Sequence, residues 1–226
     1  MLPGLAKQYF PWSNVFEGKG VPIMSVWEKI SAQFGKPTGF LGVVAGTIMA
    51  NRRSNLERNV WAISMLKLRP TDRVLEIGFG PGVAIQKMSE VVTKGVVWGI
   101  DHSEVMLKQA SMRNNKAISK GRVKLLLGSV SSLSFTDVQV DKILDINSFQ
   151  FWESPVDGLK KLRTCLAPSG IVALVHQPRQ PGSTDEETDR AGRKLADYLE
   201  EAGFRDISIE KRSMKPVSTV CVLGRG

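Results

Sequence analysis

The stretch that decides the fold runs from Val74 to Gly82 and reads Val-Leu-Glu-Ile-Gly-Phe-Gly-Pro-Gly. Mostly apolar, strand-favouring residues come first, and three glycines follow at Gly78, Gly80 and Gly82. Because glycine has no side chain, it lets the main chain turn sharply and approach a ligand closely. In an open α/β sheet, the turn from a strand into its helix lies at the carboxyl ends of the strands, where ligands bind. The stretch therefore predicts a ligand site at this turn.

The spacing of the glycines narrows the choice of ligand. Their intervals are two and two, whereas the dinucleotide fingerprint has intervals of two and three, and the Gly-Lys-Ser/Thr of a P-loop is absent. Nineteen residues beyond Gly82, the next predicted strand ends at Asp101, whose carboxylate can accept hydrogen bonds from both hydroxyls of a ribose. Glu76 or Asp101 could instead cap a helix or satisfy a turn. Taken together in strand-turn-helix-strand order, these residues favour a nucleoside ligand and disfavour NAD.

Short β-branched runs alternate with amphipathic helical patterns from Pro70 onward, which predicts a parallel sheet. Two further strands follow the last helix directly, and together they predict a terminal hairpin. The fold class is therefore α/β, a doubly wound, mostly parallel seven-stranded sheet with a helical N-terminal cap. The predicted strands are Arg73–Ile77, Val96–Ile100, Val123–Leu127, Lys142–Ile146, Ile171–Val175, Ile207–Lys211 and Ser218–Leu223. The predicted helices follow Gly82 and Ser103 and span about Pro155–Leu166 and Asp185–Ala202.

The chain divides into three predicted parts. Residues 1–23 hold six prolines and glycines and predict an irregular lead-in. Residues 24–68 show helical spacing over Ser25–Phe34, over Thr38–Ala50 and again up to Leu66, and form the predicted helical cap. Residues 69–226 make up the predicted ligand-binding domain.

Composition excludes several classes of protein. The chain has 226 residues, 42% of them hydrophobic and 23% charged, which is ordinary globular usage and not that of a disordered chain. Cys165 and Cys221 lie far apart in apolar runs, so we expect neither a metal site nor a redox pair. The apolar run Gly39–Ala50 has 12 residues, short of the roughly 20 that span a bilayer, and no signal peptide is visible. We therefore expect a cytoplasmic protein.

The net charge of +9 is concentrated near the N-terminus. Residues 1–70 hold nine Lys and Arg against three Glu, whereas residues 71–226 hold 22 against 19 acidic residues. A basic segment of this kind suits an anionic substrate, an acidic membrane surface or nucleic acid, although a solvated basic face is the commoner explanation.

The ordered motifs resemble those of the class I S-adenosylmethionine-dependent methyltransferases, across roughly residues 55 to 226. The resemblance is closest to the ubiquinone/menaquinone-biosynthesis-like, "type 11" branch. It is carried by three stretches, Val74–Gly82, Gly99–Met106 and the Leu-Ala-Pro-Ser-Gly of Leu166–Gly170. It implies a Rossmann-like methyltransferase fold, methyl transfer as the activity and S-adenosyl-L-methionine as the cofactor.

The resemblance also implies which residues hold the cofactor. The glycine turn would cradle the methionine part, Asp101 the ribose, and His102 would lie against the adenine. Ser129 stands where the family usually has Asp, so adenine discrimination could be weaker here. The full set of implied cofactor-binding residues is Glu76, Gly78, Gly80, Gly82, Asp101, His102, Ser129, Val130 and Asn147.

Candidates for the chemistry follow from where strands end. Methyl transfer from a sulfonium needs an in-line nucleophile, exclusion of water and, for acidic nucleophiles, a base, so positioning can carry most of the rate. His176, after the fifth strand, is the preferred base and Glu153 the second candidate, although either could be a simple structural residue. Substrate contacts are predicted for Phe149, Trp152 and Arg58. Further candidates for the pocket are Phe151, Trp27, Phe34 and Phe40, with Arg52 and Arg53 better explained as a solvated face.

The preferred function is methyl transfer to a small-molecule or lipid-like acceptor. Nucleic acid is disfavoured because the Asn/Asp-Pro-Pro-aromatic motif used in this superfamily for exocyclic amines is missing at Asn147–Gln150. Methylation of RNA or of an anionic membrane lipid is the alternative, with peripheral membrane contact left open. A non-catalytic nucleoside-binding regulator is the third hypothesis. No oligomeric state is predicted.

Overall fold

The computed structural model describes residues 53–132 and 139–226. Within these ranges the chain forms one seven-stranded sheet in the order β3-β2-β1-β4-β5-β7-β6. The strands are β1 (Arg73–Ile77), β2 (Val96–Asp101), β3 (Val123–Leu127), β4 (Val140–Ile146), β5 (Leu166–His176), β6 (Arg205–Arg212) and β7 (Thr219–Arg225). The first five strands are parallel, and β7 runs antiparallel to both β5 and β6. The predicted mostly parallel sheet with a terminal hairpin is therefore confirmed.

Helices cover both faces of this sheet. They are α1 (Arg53–Met65), α2 (Val83–Val91), α3 (Glu104–Arg113), α4 (Asn115–Ser119), α5 (Pro155–Cys165) and α6 (Asp185–Glu201). The first four pack on one face, where Trp61, Ile85 and Met106 belong to one buried cluster. The last two pack on the other face, where Leu159 and Leu199 belong to a second cluster. Each helix buries an apolar stripe against the sheet, which produces the doubly wound layers.

The bounds of β2, β4, β6 and β7 differ from the predicted ones by one or two residues at each changed end, and two local features differ more clearly. Strand β5 begins at Leu166, earlier than predicted, because Leu166 pairs with Val140 before an irregularity in the register. Residues 168–170, Pro-Ser-Gly, therefore lie within an irregular part of this strand. The short helix α4 was not predicted, since five residues are too few to show a clear helical period.

The predicted parts of the chain are only partly described. The helix predicted to end at Leu66 is α1, which ends at Met65, and its Trp61 and the adjacent Leu66 pack in the same buried cluster as the sheet. Residues 1–23, and the remainder of the predicted cap before residue 53, lie outside the described residues. The boundary at residue 69 stays a prediction.

Candidate functional site

The glycine turn is tied to the end of β2 through one carboxylate. The Gly80 N–H donates to Asp101 Oδ2 at 2.8 Å, and the Ser103 N–H donates to Asp101 Oδ1 at 2.9 Å. The Gly78 N–H donates to the carbonyl of Ile100 at 2.8 Å. Asp101 is buried, and burial raises its pKa above the ordinary value although the main-chain donors oppose that change. Asp101 therefore fixes the turn, and a carboxylate has lone pairs for further donors.

The three glycines serve different local needs. The main chain at Gly78 lies so close to the side chain of Ser148 that a Cβ on Gly78 would overlap it. A Cβ on Gly82 would lie 2.6 Å from the Cβ of Ala110, so this glycine lets α3 pack against the turn. Gly80 has a φ of +51°, and a Cβ built there meets no heavy atom within 4 Å. Of the three, only Gly80 faces open space, which leaves room for a ligand against its backbone.

Glu76 brings a second carboxylate to this edge. Its side chain is 2% exposed, and in the part of the chain that is described its Oε2 atom has no hydrogen-bond partner. Burial raises the pKa of Glu76 well above its ordinary value, and the charges of Asp145 and Asp101 raise it further. A buried polar atom that lacks a partner costs free energy, so a bound group that supplies one would be stabilised here.

Asp145 is a third carboxylate, which the sequence analysis did not single out. Its Oδ1 accepts from the main-chain N–H groups of Ser148 at 3.2 Å and Phe149 at 3.1 Å, and its Oδ2 contacts the Ser148 hydroxyl. Burial raises the pKa of Asp145 to about 7, against the opposing effect of these hydrogen bonds. An acidic residue directly after Ile143 and Leu144, near the carboxyl end of the strand, was the signal available in the sequence.

Asn147 joins the ends of β4 and β5. Its Nδ2 donates to the carbonyl of Gln177 at 3.1 Å, and its Oδ1 accepts from the Gln177 N–H at 2.8 Å. Its φ of +56° is one that Asn tolerates better than most residues. Both ends of its amide group are therefore used on the main chain of a neighbouring strand end, and its predicted contact with the cofactor stays a prediction.

A cluster of polar side chains lies beside the hydrogen bonds between Asn147 and Gln177. Arg58 of α1 is 5% exposed and donates to Gln177 Oε1 at 2.8 Å and to Asn55 Oδ1 at 3.2 Å. Arg179 donates to the same Asn55 oxygen at 2.5 Å. Burial lowers the pKa of His176 to about 4, and the charges of Arg58 and Arg179 lower it further. His176 is therefore neutral at physiological pH. Of this cluster, sequence reasoning identified Arg58 and His176 and missed the residues that connect them.

The aromatic side chains predicted to contact the substrate are packed against other side chains of the protein. Phe149 is 5% exposed, with its ring 4.7 Å from that of Trp152 and 5.6 Å from that of Tyr198. Trp152 packs against Gly158 of α5. Phe149 is thus part of the core between the sheet and α6, and the predicted substrate contacts of both aromatics stay predictions.

The remaining predicted residues are spread around the same edge. The His102 side chain is 43% exposed, with Nδ1 4.0 Å from Asp101 Oδ1. Ser129 is exposed and contacts the Ser131 hydroxyl at 2.7 Å, whereas Val130 is buried in the core. Glu153 is exposed ahead of α5. Arg53 forms an exposed ion pair with Glu57, as suits a solvated face, while Trp27, Phe34, Phe40 and Arg52 lie outside the described residues.

The described ranges hold neither a candidate metal site nor a membrane-spanning helix. No group of three or more His, Cys, Asp or Glu in residues 53–132 and 139–226 could hold a metal ion. Cys165 and Cys221 are both buried free thiols, and burial raises their pKa values to about 11 and about 12. None of the helices described is long and apolar enough to cross a membrane.

Comparison with known proteins finds methyltransferases among the relatives of this chain. Residues 74–170 match the family model described as "Methyltransferase domain". The chain is 33% identical over 183 residues to "Uncharacterized methyltransferase YdaC" of Bacillus subtilis (strain 168), covering 81% of this chain and 98% of that protein. "Putative methyltransferase YrhH" of the same strain is 24% identical over 161 residues, covering 71% of this chain and 82% of the relative.

A solved structure shares the fold. The crystal structure of a SAM-dependent methyltransferase from Aquifex aeolicus matches with a TM-score of 0.64 and 24% sequence identity. The match covers 77% of this chain and 93% of that chain. This chain therefore shares its Rossmann-like fold with the Aquifex aeolicus structure.

Proposed function

The chain belongs to the class I S-adenosylmethionine-dependent methyltransferases, and we propose that its methyl acceptor is a small-molecule or lipid-like compound. Membership gives both the activity and the cofactor, so the hypothesis of a non-catalytic regulator is not carried further. When bound, S-adenosylmethionine supplies a methyl group on a positively charged sulfur, already activated for transfer. What remains for the protein is binding, positioning and exclusion of water.

The residues of the glycine turn fit this cofactor. Gly80 leaves open space along its backbone, Asp101 lies at the end of the neighbouring strand, and Glu76 has a buried oxygen that lacks a partner in the described chain. We propose that Asp101 holds the ribose and that Glu76 meets a polar group of the methionine part. His102, Ser129 and the rest of the predicted cofactor set belong to the same proposal.

The acceptor would lie at the neighbouring ends of β4 and β5. His176 ends β5, and its neutral imidazole can accept a proton. A pKa of about 4 makes it a weak base. A hydroxyl that is forming a bond to a methyl group becomes strongly acidic, so a weak base beside it is sufficient. His176 would therefore take the proton late, and its main contribution would be orientation.

The observation that favours a small acceptor over a nucleobase is that the side-chain amide of Asn147 is hydrogen-bonded to the main chain. Recognition of an exocyclic amine needs an amide or carboxylate that reaches the base edge, and both ends of the Asn147 amide contact the main chain of Gln177. A cytoplasmic location, with peripheral membrane contact if the acceptor is lipid-like, belongs to the same proposal.

The test follows the methyl group. The protein is incubated with S-adenosylmethionine carrying a labelled methyl group and with a cell extract separated into solvent-extractable lipid, aqueous small-molecule and RNA fractions. We expect label in one of the first two fractions, and its loss with Asp101→Ala. Label confined to RNA would contradict the proposed acceptor class, and equal labelling by Asp101→Ala would contradict the proposed cofactor site.

A further inference from the structure

Two arginines from distant parts of the chain converge on one oxygen atom. Arg58 Nη2 and Arg179 Nη2 both donate to Asn55 Oδ1, at 3.2 Å and 2.5 Å. The two arginines are 121 positions apart in the sequence, so only the fold brings them together. Asn55 is uncharged, and its oxygen holds two positive groups side by side at the carboxyl end of β5.

The two arginines differ in what surrounds them. Arg58 is 5% exposed, and it is anchored by Gln177, which is itself 2% exposed and donates to the carbonyl of Val217 at 2.7 Å. Arg179 is exposed, three positions after the end of β5. Of the two, Arg179 is therefore the one that a molecule arriving from solvent can contact, and Arg58 supplies a fixed charge behind it.

The pair lies beside the proposed proton acceptor. His176 ends β5 and is followed directly by Gln177, whose main chain is clamped by Asn147 at the end of β4. The charges of both arginines lower the pKa of His176, which indicates that their field reaches the imidazole. A group bound by Arg179 would thus lie next to the place where the acceptor is methylated.

We infer that Arg179, positioned by Asn55 beside the buried Arg58, binds an oxyanion group, either a carboxylate or a phosphate, on the methyl acceptor. The inference rests on the proposed function and adds the substrate class to it. A guanidinium has a planar fork of N–H donors that matches both groups, and the charge of the buried Arg58 beside it adds to the attraction. Asn55, Arg58 and Gln177 act as positioning residues, because Asn55 bonds Arg179 and Gln177 fixes the buried Arg58 beside it. In this inference Arg58 supports the site from behind Arg179, in place of the direct substrate contact that the sequence predicts for it.

The experiment uses the simplest carriers of each anion. Calorimetric titrations at constant ionic strength measure binding of inorganic phosphate and, separately, of acetate to the full chain with S-adenosylhomocysteine present. The variants are Arg179→Gln, at an exposed position, and Arg205→Gln, which removes an exposed charge at the opposite edge of the sheet. Binding of S-adenosylhomocysteine itself is measured for every protein.

The expected result is saturable binding of at least one anion to the wild type, weakened at least tenfold by Arg179→Gln and unchanged by Arg205→Gln. Tighter binding of phosphate assigns the acceptor to phosphate-bearing compounds, and tighter binding of acetate assigns it to carboxylates. Binding of neither anion, or equal binding by Arg179→Gln, overturns the inference while S-adenosylhomocysteine still binds. If S-adenosylhomocysteine also fails to bind, the proposed function fails with it.

Discussion

The sheet divides into two halves that meet between β1 and β4. In the cofactor half, residues 73–132, the proposed site is made largely of main chain held by Asp101. In the acceptor half, residues 140–226 together with α1, the proposed site is made of side chains such as Arg58, Gln177 and Arg179. The first site depends on a short stretch of sequence, whereas the second depends on contacts between residues more than a hundred positions apart.

The two halves are joined by Ser148 and Asp145 at their seam. The Ser148 hydroxyl donates to the carbonyl of Ile77 at 3.1 Å and contacts Asp145, and its Cβ occupies the space that a side chain on Gly78 would need. Changes at the seam should therefore affect the whole fold. Changes within either half should affect one kind of ligand only.

The largest effect is expected for Asp145→Asn, at the seam. The folded-state pKa of about 7 lies above the ordinary 3.8, so between these values the folded state binds more protons than the unfolded state. Stability therefore falls as pH rises through this range, by ~1.4 kcal/mol per pH unit and about 4 kcal/mol in all. Asn keeps an oxygen for the two main-chain donors and removes the charge. Urea denaturation at a series of pH values should show that the variant loses the part of this dependence due to Asp145, while the part due to Glu76, whose pKa burial also raises, remains.

The matched control is Asp141→Asn, near the other end of the same strand. Asp141 accepts from the Arg73 side chain, and these hydrogen bonds and charges hold its pKa below the usual value despite burial. A carboxylate whose pKa is lowered in the folded state stabilises the protein at pH values above its ordinary pKa. This stabilisation is lost as the pH falls through the folded-state pKa. The two variants should thus change the pH dependence in opposite directions. Identical pH profiles of stability for Asp145→Asn and wild type would rule out a buried carboxyl group with a raised pKa at the seam.

Gly78→Ala and Gly80→Ala compare the seam with the cofactor half. The first would overlap Ser148 and occupy a φ of +68°, so we expect a loss of about 3 kcal/mol of stability. The second has open space at a φ of +51°, so we expect a loss of about 1 kcal/mol of stability and a larger loss of cofactor affinity. Thermal unfolding and calorimetry measure the two quantities. Wild-type affinity in Gly80→Ala would contradict the placement of the cofactor.

Asp101→Ala should weaken binding of S-adenosylhomocysteine by roughly 1 to 3 kcal/mol, the scale for hydrogen bonds to a buried partner. The same carboxylate also holds the Gly80 and Ser103 N–H groups, so part of the loss would come from a looser turn. Ser103→Ala serves as the comparison, because it leaves the Ser103 N–H bond to Asp101 in place. An affinity unchanged by Asp101→Ala would count against its contact with the ribose.

The smallest effect is expected in the acceptor half. Arg179→Gln removes one of the two charges that lower the pKa of His176, so that pKa should rise from about 4, by roughly half a pH unit. Nuclear magnetic resonance titration can follow the imidazoles, since the chain has two histidines and His102→Gln identifies the other. Arg205→Gln should leave the titration unchanged. Because burial is the larger cause of the lowered pKa, the test is the change on substitution: an unchanged His176 pKa in Arg179→Gln would show that this arginine does not act on the imidazole.

The two halves also differ in how far the sequence alone predicts them. The order of strands and helices follows from apolar periodicity and from the glycine turn, and the predicted β1 and β3 have the observed bounds. The turn and Asp101 could be identified because a local main-chain shape requires particular residue types at fixed spacing.

The acceptor half could not be assembled in that way. Nothing in the spacing of Asn55, Gln177 and Arg179 indicates that they meet, because their contacts depend on how α1 packs beside the end of β5. Phe149 shows the same limit, since an aromatic residue after a strand suits a substrate pocket and a buried core equally well, and here it lies in the core. Local backbone patterns are therefore predictable, and side-chain clusters built from distant segments are not.

The most direct test of the division into two halves is one set of calorimetric titrations with S-adenosylmethionine, S-adenosylhomocysteine and NADH. The proteins are the wild type, Gly80→Ala and Arg179→Gln. We predict that the wild type binds both adenosyl ligands and not NADH, that Gly80→Ala loses most of this affinity, and that Arg179→Gln keeps it. Binding of NADH, or an equal loss of adenosyl affinity in both variants, would contradict the account.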